Sequence, residues 1–401
     1  MRTTPHSLLI ATALTLSLLG CNQTTPPGPT PVAVAPKAAP PEVVKKLFPG
    51  PWTKEKTPVL VPSPEKASFD SRNVYNMATI VEDGEVVMLY RGESLSEEAG
   101  SMTGRFGLAT SPDGMTFTRL PSNDSPGVVM EPTEPYESRG IEDPRLIKID
   151  DQYIVTYTGY NGKMGQLCLA TSKDLKTWEK HGPLFPDFQQ ADCPLVPNSP
   201  VGASKSGAIL PERMTEGPYK GEYIMLFGDT HMHLAHSKDL VSWEPVQEPV
   251  LSPRWEKFDS LLVESGPPLL RTKDGILVIY NSAGHQTDPP AEASPEEKAR
   301  LLFPQRKYAV GMALLDSKDP TKVIARTDQP ILTVTEEWEE KGYVNNVVFA
   351  EGLVKVGERW LLHYGGADHV IGVAHAPFEA DLLPDDSPFL SESGPKVSPT
   401  P

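Results

Sequence analysis

Five short apolar runs recur along the chain: Val86–Tyr90, Tyr153–Tyr157, Tyr223–Phe227, Ile276–Tyr280 and Trp360–Tyr364. They are rich in β-branched and aromatic residues and bounded by Gly, Asp and Asn, which predicts inner β-strands. A second pattern follows each run. Leu108-Ala109-Thr110-Ser111-Pro112-Asp113 leads to Phe117; Leu169-Ala170-Thr171-Ser172-Lys173-Asp174 leads to Trp178; Leu234-Ala235-His236-Ser237-Lys238-Asp239 leads to Trp243. Weaker copies are Gly311 to Ser317 and Gly372 to Phe378. Each full copy reads as an apolar strand ending at Ser-x-Asp, a pair that turns the chain through side-chain to backbone hydrogen bonds. The aromatic residue then begins the next strand and plugs the gap between neighbouring repeats.

The alanines at 109, 170, 235, 313 and 374 mark the repeats, with spacings of 61, 65, 78 and 61 residues. Such units are too long for a solenoid and suit four-stranded blades. The expected fold is all-β, a five-bladed β-propeller over residues 46–390. A two-sheet sandwich has similar strand lengths, but near-constant repetition argues against it. The longest spacing holds Asp288 to Phe303, where Ser294-Pro295-Glu296-Glu297 is a helix-start signature. A helix there reads as a lid or as a plain surface excursion.

The ends have a different pattern. Arg2 precedes an apolar stretch, Leu8 to Leu19, too short for a stable transmembrane helix, and no other apolar run is long enough to span a bilayer. Leu18-Leu19-Gly20-Cys21 resembles a bacterial lipobox. Residues 1–20 are then a lipoprotein signal peptide and Cys21 carries a lipid that joins the protein to a membrane. The competing reading is an ordinary secretory signal with a chance cysteine. Residues 21–45 form a Pro-rich tether that cannot bury a core, and residues 391–401 a disordered tail. Asn22, where aspartate would signal inner-membrane retention, favours the outer membrane of a bacterial envelope.

A net charge of −16 excludes nucleic acid as a natural partner. Besides Cys21 the chain has Cys168 and Cys193. An exported location permits a disulfide between them; two buried thiols read equally well. No Cys/His cluster has metal spacing, and no cofactor is implied.

Polar residues interrupt the strand pattern about once per repeat. Arg139-Gly140-Ile141-Glu142-Asp143-Pro144-Arg145 sets two carboxylates between arginines, and Pro144 pushes Asp143 toward extended backbone. Adjacent side chains on a strand point apart, so one of Glu142 and Asp143 is expected to face a shared cavity. On these residues alone a surface ion-pair cluster reads equally well. Arg91, Arg105, Lys205, Asp229, His231, Glu264 (in a bend), Glu351 and Asp368 occupy comparable strand ends. In a propeller such positions converge on one central funnel.

From Asn73 to Phe378 the chain resembles glycoside hydrolase family 130, five-bladed propellers acting on β-mannosides. The matching segments include Asn73-Val74-Tyr75-Asn76, Leu89-Tyr90-Arg91, Arg105-Phe106-Gly107, Gly140 to Arg145, Lys205, and Tyr364 to Asp368. The resemblance implies a manno-oligosaccharide or mannan-derived substrate. It makes Asp143 the general acid, acting through a hydroxyl of the bound mannose, and Asn76, Arg91, Arg105, Arg145 and Asp368 sugar-binding residues, with Glu142 beside them. The family's phosphorylases carry an arginine where Gln166 stands here, and a His-Arg pair where this chain has Gly228-Asp229-Thr230-His231. Lys205 alone remains of that cationic set, while Glu264 and Glu351 add carboxylates. Inverting hydrolysis needs such a second carboxylate, ~6.5–9.5 Å from the acid, to activate water. The expected activity is therefore inverting, exo-acting hydrolysis of β-mannosides, with β-1,2 as the expected linkage and Glu264 or Glu351 as base. A phosphorylase releasing α-mannose 1-phosphate is the alternative, and a non-catalytic glycan-binding lipoprotein the third reading.

Overall fold

The computed structural model describes residues 48–95, 102–121, 127–190, 200–255, 257–285 and 306–390. The expected signal peptide and tether, Cys21, Cys193, the helix expected at Ser294 and the expected tail from 391 lie outside the described residues.

The repeats fold as successive antiparallel meanders. The first runs through Asn73–Glu82, Glu85–Leu95 and Met102–Ser111, with Thr118–Arg119 and Val128–Met130 both paired to the third strand. The second is Gly140–Ile149, Gln152–Tyr160, Gly165–Ser172 and Glu179–Pro183; the third is Ala208–Ile209, Tyr223–Phe227, Met232–Ser237 and Glu244–Leu251. The fourth centres on Ile276–His285 and Arg306–Leu315, flanked by Leu262–Ser265 and Leu270–Arg271 on one side and Val323–Arg326 and Leu332–Thr333 on the other. The fifth is Val348–Val356, Arg359–Gly366 and Val370–Pro377, completed by Thr53–Lys54 from the start of the domain. Each apolar run expected to be an inner strand is the second of its meander, paired on both sides. The first strands, more broken in pattern, carry Asn76, Glu142, Asp143, Arg145, Glu264 and Glu351, while Arg91 lies in a second strand and Arg105 in a third.

Apolar clusters lie between meanders, in cyclic order. Phe106 and Leu89 pack with Leu146 and Tyr157; Ile154 and Leu167 with Ile209 and Phe227; Leu226 with Val278; Ile279 with Val348 and Leu362. Val86 of the first meander packs with Val354, Leu361 and Val373 of the fifth, closing the succession.

The Ser-x-Asp turns fold alike. Gly114 N, Leu175 N and Leu240 N donate to Ser111, Ser172 and Ser237 Oγ at 2.8–2.9 Å. The aspartates accept the next two amides, as Asp113 Oδ1 does from Met115 and Thr116 at 2.8 and 3.0 Å. The three donors share left-handed backbone (φ 72°, 64° and 70°), a conformation glycine suits and leucine holds here against its steric cost. Trp178 and Trp243 follow, each donating to the carbonyl of that left-handed leucine and packing against the preceding inter-sheet cluster.

A buried latch also repeats. Tyr90, Tyr157, Tyr280 and Tyr364 donate to Asp70, Glu137, Asp259 and Glu339 at 2.8–3.1 Å. All four carboxylates are fully buried, and each is met by a cation: Arg119, Lys180, Arg326 or Lys54. In the third meander Phe227 takes the tyrosine's place and packs on Phe185 and Phe188 instead. Cys168 is a free buried thiol, which burial pushes up to about 12.

Candidate active site

Three first strands break register, each at a polar residue. Pairing shifts between Tyr75 and Met77, between Glu142 and Arg145, and between Ala350 and Gly352. Each shift is a β-bulge, which inserts residues and re-aims a side chain. The bulges present Asn76, Asp143 and Glu351. Asn76 and Asp143 have φ of 41° and 53°, so Asp143 is left-handed and not extended as Pro144 suggested. The bulge also overturns the expectation that Glu142 and Asp143 diverge, because both line one cavity. Ser206, Ala367 and Asp368 are left-handed as well, at 54°, 49° and 49°. Non-glycine residues held this way cost about 1–3 kcal/mol each and cluster at functional sites.

The cavity measures about 280 Å³. Among the described residues its carboxylates are Glu142, Asp143, Glu264 and Asp368, and its cations are Arg91 and Lys205. Both cations are already engaged. Arg91 Nη2 lies 2.7 Å from Glu93 and 3.1 Å from Glu142, and its Nη1 lies 3.6 Å from Asp143. Lys205 Nζ lies 3.6 Å from Glu142. Burial lowers the Lys205 ammonium, but Glu142, Asp143, Asp229 and Glu264 outweigh it and hold the group above its ordinary range.

Burial pushes the Glu264 carboxyl up to about 7, with Asp143 and Asp229 adding to the rise and Lys205 and Arg145 opposing it. Ser206 Oγ donates to Glu264 Oε1. Glu264 sits in the strand Leu262–Ser265, paired with Asn281, and not in the expected bend. Asp368 is likewise pushed to about 7 by burial, against the pull of Arg91 and with a further push from Asp143.

Glu351 does not line the cavity. Its carboxyl is fully enclosed behind it, 3.0 Å from Arg145 Nη1. Burial raises the Glu351 pKa well above the ordinary carboxylate range, with Arg145 opposing. Arg145 also lies behind the wall, donating to the carbonyls of Asp143 at 2.8 Å and Ser265 at 2.6 Å.

Besides Glu351 and Arg145, three further expected residues, Arg105, His231 and Asp229, are not brought to the wall. Arg105 sits one strand outward from Arg91, with Nε 3.7 Å from Glu131. His231 bonds Ser252 Oγ at 2.9 Å. Asp229 acts at a distance, through its charge on Glu264 and Lys205. The aromatic lining, Tyr75, Tyr308, Tyr343 and Phe349, was not assigned from sequence. Tyr343 had a signal, being an isolated aromatic in a polar segment.

Residues 53–382 match the family described as β-1,4-mannooligosaccharide phosphorylase, glycoside hydrolase family 130. The chain belongs to glycoside hydrolase family 130. A 1,2-β-oligomannan phosphorylase from Thermoanaerobacter sp. (strain X514) is 35% identical over 323 residues, 79% of this chain and 94% of the relative. A β-1,2-mannobiose phosphorylase from the same organism is 32% identical, again over 79% and 94%. A glycosyl hydrolase structure from Bacteroides ovatus superposes with TM-score 0.67 at 32% identity, covering 84% of this chain and 97% of that one. Another solved relative comes from work finding, within this family of mannoside phosphorylases, glycoside hydrolases that target β-1,2-mannosidic linkages in Candida mannan. It is 33% identical with TM-score 0.66, over 82% and 94% of the two chains.

Proposed function

We propose that this family 130 enzyme is an inverting, exo-acting hydrolase of β-mannosides, with β-1,2-linked manno-oligosaccharides as its substrates. The carrying observation is charge. Among the described residues, four carboxylates face two cations in the cavity, and each cation already contacts a carboxylate. A phosphate dianion needs a cationic clamp and is repelled by added carboxylates; water needs a base. Asp143 delivers its proton to the leaving oxygen through a hydroxyl of the mannose. Glu264 takes a proton from the water that attacks the anomeric carbon from the opposite face. The C1–O bond breaks, a new C1–O bond forms on the other face, and the product is α-mannose. Glu264 is preferred over Glu351 as base because it borders the cavity, with a pKa suited to a base at neutral pH. Asn76, Arg91, Glu142 and Asp368 hold the sugar.

The five meanders, packed in cyclic order with the fifth completed by Thr53–Lys54, are read as propeller blades. The protein is read as tethered to the outer membrane through lipid on Cys21.

Phosphorolysis is the second reading, favoured by the names of the two Thermoanaerobacter relatives. Incubation with β-1,2-mannobiose, with and without phosphate, separates the two by product.

A further inference from the structure

A second hollow, about 540 Å³, adjoins the catalytic cavity and shares Tyr343 as a wall. Tyr343 is 56% exposed, and its hydroxyl lies within the influence of Glu93, Arg91, Asp368 and Glu142. An exposed aromatic beside a sugar cavity offers an apolar face to a pyranose ring.

The charge of this hollow is opposite to that of its neighbour. Arg72, Lys341 and His369 line it, and among the described residues no carboxylate does. Among the described residues neither Arg72 nor Lys341 has an ion-pair partner, in a chain whose net charge is −16. His369 is oriented for a ligand. Glu93 when ionised can only accept, so Asn73 turns its Nδ2 toward it at 3.0 Å and presents Oδ1 to His369 Nδ1 at 3.0 Å. That bond makes Nδ1 the donor, so in the neutral ring Nε2 is an acceptor suited to a sugar hydroxyl, and the anion falls to Arg72 and Lys341. The same Glu93 accepts from Arg91 at 2.7 Å, so the two hollows share a hydrogen-bonded wall.

We propose that this hollow is a subsite for an anionic group, a carboxylate or a phosphate ester, carried by the sugar on the leaving-group side of the scissile bond. The proposal rests on the reading of the first cavity as the β-mannoside site. The mannose to be released fills the catalytic cavity, the next sugar crosses Tyr343, and its anion meets Arg72 and Lys341. The carboxylate-rich catalytic cavity would repel that anion, so charge also fixes the direction in which the substrate lies.

Calorimetric titration with mannose, mannose 6-phosphate and mannuronic acid at low ionic strength tests it, on the wild type, an Arg72→Ala/Lys341→Ala variant and Lys205→Ala. At least one anionic sugar should bind about tenfold more tightly than mannose, and which one identifies the anion. That preference should vanish in the double variant and persist in Lys205→Ala. Equal binding of all three sugars by the wild type, or a preference the double variant retains, overturns the proposal. A preference lost in Lys205→Ala instead puts the anion in the catalytic cavity and also overturns it. Cleavage of neutral β-1,2-mannobiose by the double variant, expected within about twofold of wild type since it removes no catalytic group, is scored separately. Its absence in the wild type counts against the β-mannosidase reading alone.

Discussion

Arg145 Nη1 lies 3.0 Å from Glu351 Oε1, and neither side chain is more than 1% exposed. The two come from the first strands of the second and fifth meanders, so the contact joins separate sheets behind the catalytic cavity. Arg145→Met removes the cation and strands Glu351 together with the carbonyls of Asp143 and Ser265. The expected loss is about 3–5 kcal/mol, measured by urea unfolding, with part recovered in Arg145→Met/Glu351→Leu. A single-variant loss below about 1 kcal/mol would show the contact to be incidental.

Asp143→Asn should keep the bulge, since asparagine tolerates left-handed backbone, and remove only the proposed proton donor. Turnover should fall about 10²–10⁴-fold with unchanged circular dichroism and retained mannose binding. Activity within tenfold of wild type rejects the assignment.

Glu264→Gln and Glu351→Gln should differ. Glu264→Gln loses hydrolysis and is partly rescued by azide, which needs no deprotonation. Glu351→Gln acts through Arg145 and should show no azide rescue. Rescue of Glu351→Gln alone would reverse the choice of base.

The pH behaviour follows from Glu264 and Asp368, whose carboxyls rise from 4.5 and 3.8 to about 7 on burial. The folded chain therefore holds protons that the unfolded chain has released. Their contribution to stability is full below the ordinary carboxylate range and is lost as pH rises through 7. With Glu264 as the proposed base, catalysis needs it ionised, so activity should rise over the same window. The melting temperature should fall by a few degrees from pH 5 to 8 while kcat climbs. Ser206→Ala removes a hydrogen bond to the Glu264 carboxylate and should move the acidic limb of kcat upward. A downward shift contradicts that arrangement.

Lys54 supplies the cation of the fifth latch from the strand that completes the last sheet, 2.7 Å from fully buried Glu339. Lys54→Met should cost about 3–5 kcal/mol, whereas neighbouring Lys56→Met, whose side chain is 82% exposed, should cost little. Equal effects in denaturant melts would remove the latch as a determinant of closure.

The repeat was legible because Ser111, Ser172 and Ser237 fix local turns by bonds within a few residues. The site was legible in part. Asn76, Asp143 and Glu351 stand out as polar residues in strands, but the bulges that aim them depend on pairing with distant strands. That is why Glu142 and Asp143 share a wall against the alternation rule; Glu264 is in a strand because Leu262–Ser265 pairs in continuous register with residues 280–283. Arg105 and His231 illustrate the converse: a polar group at or near a strand end satisfies itself locally, with Glu131 or Ser252, when the strand lies outward of the wall. The latches were not read at all, since Lys54 and Glu339 are far apart in sequence.

The reaction class is tested most directly by proton NMR of β-1,2-mannobiose cleavage at millimolar phosphate, followed from the first minutes. The account predicts free α-mannose, appearing before mutarotation, at a rate independent of phosphate. α-Mannose 1-phosphate as the main product would contradict it.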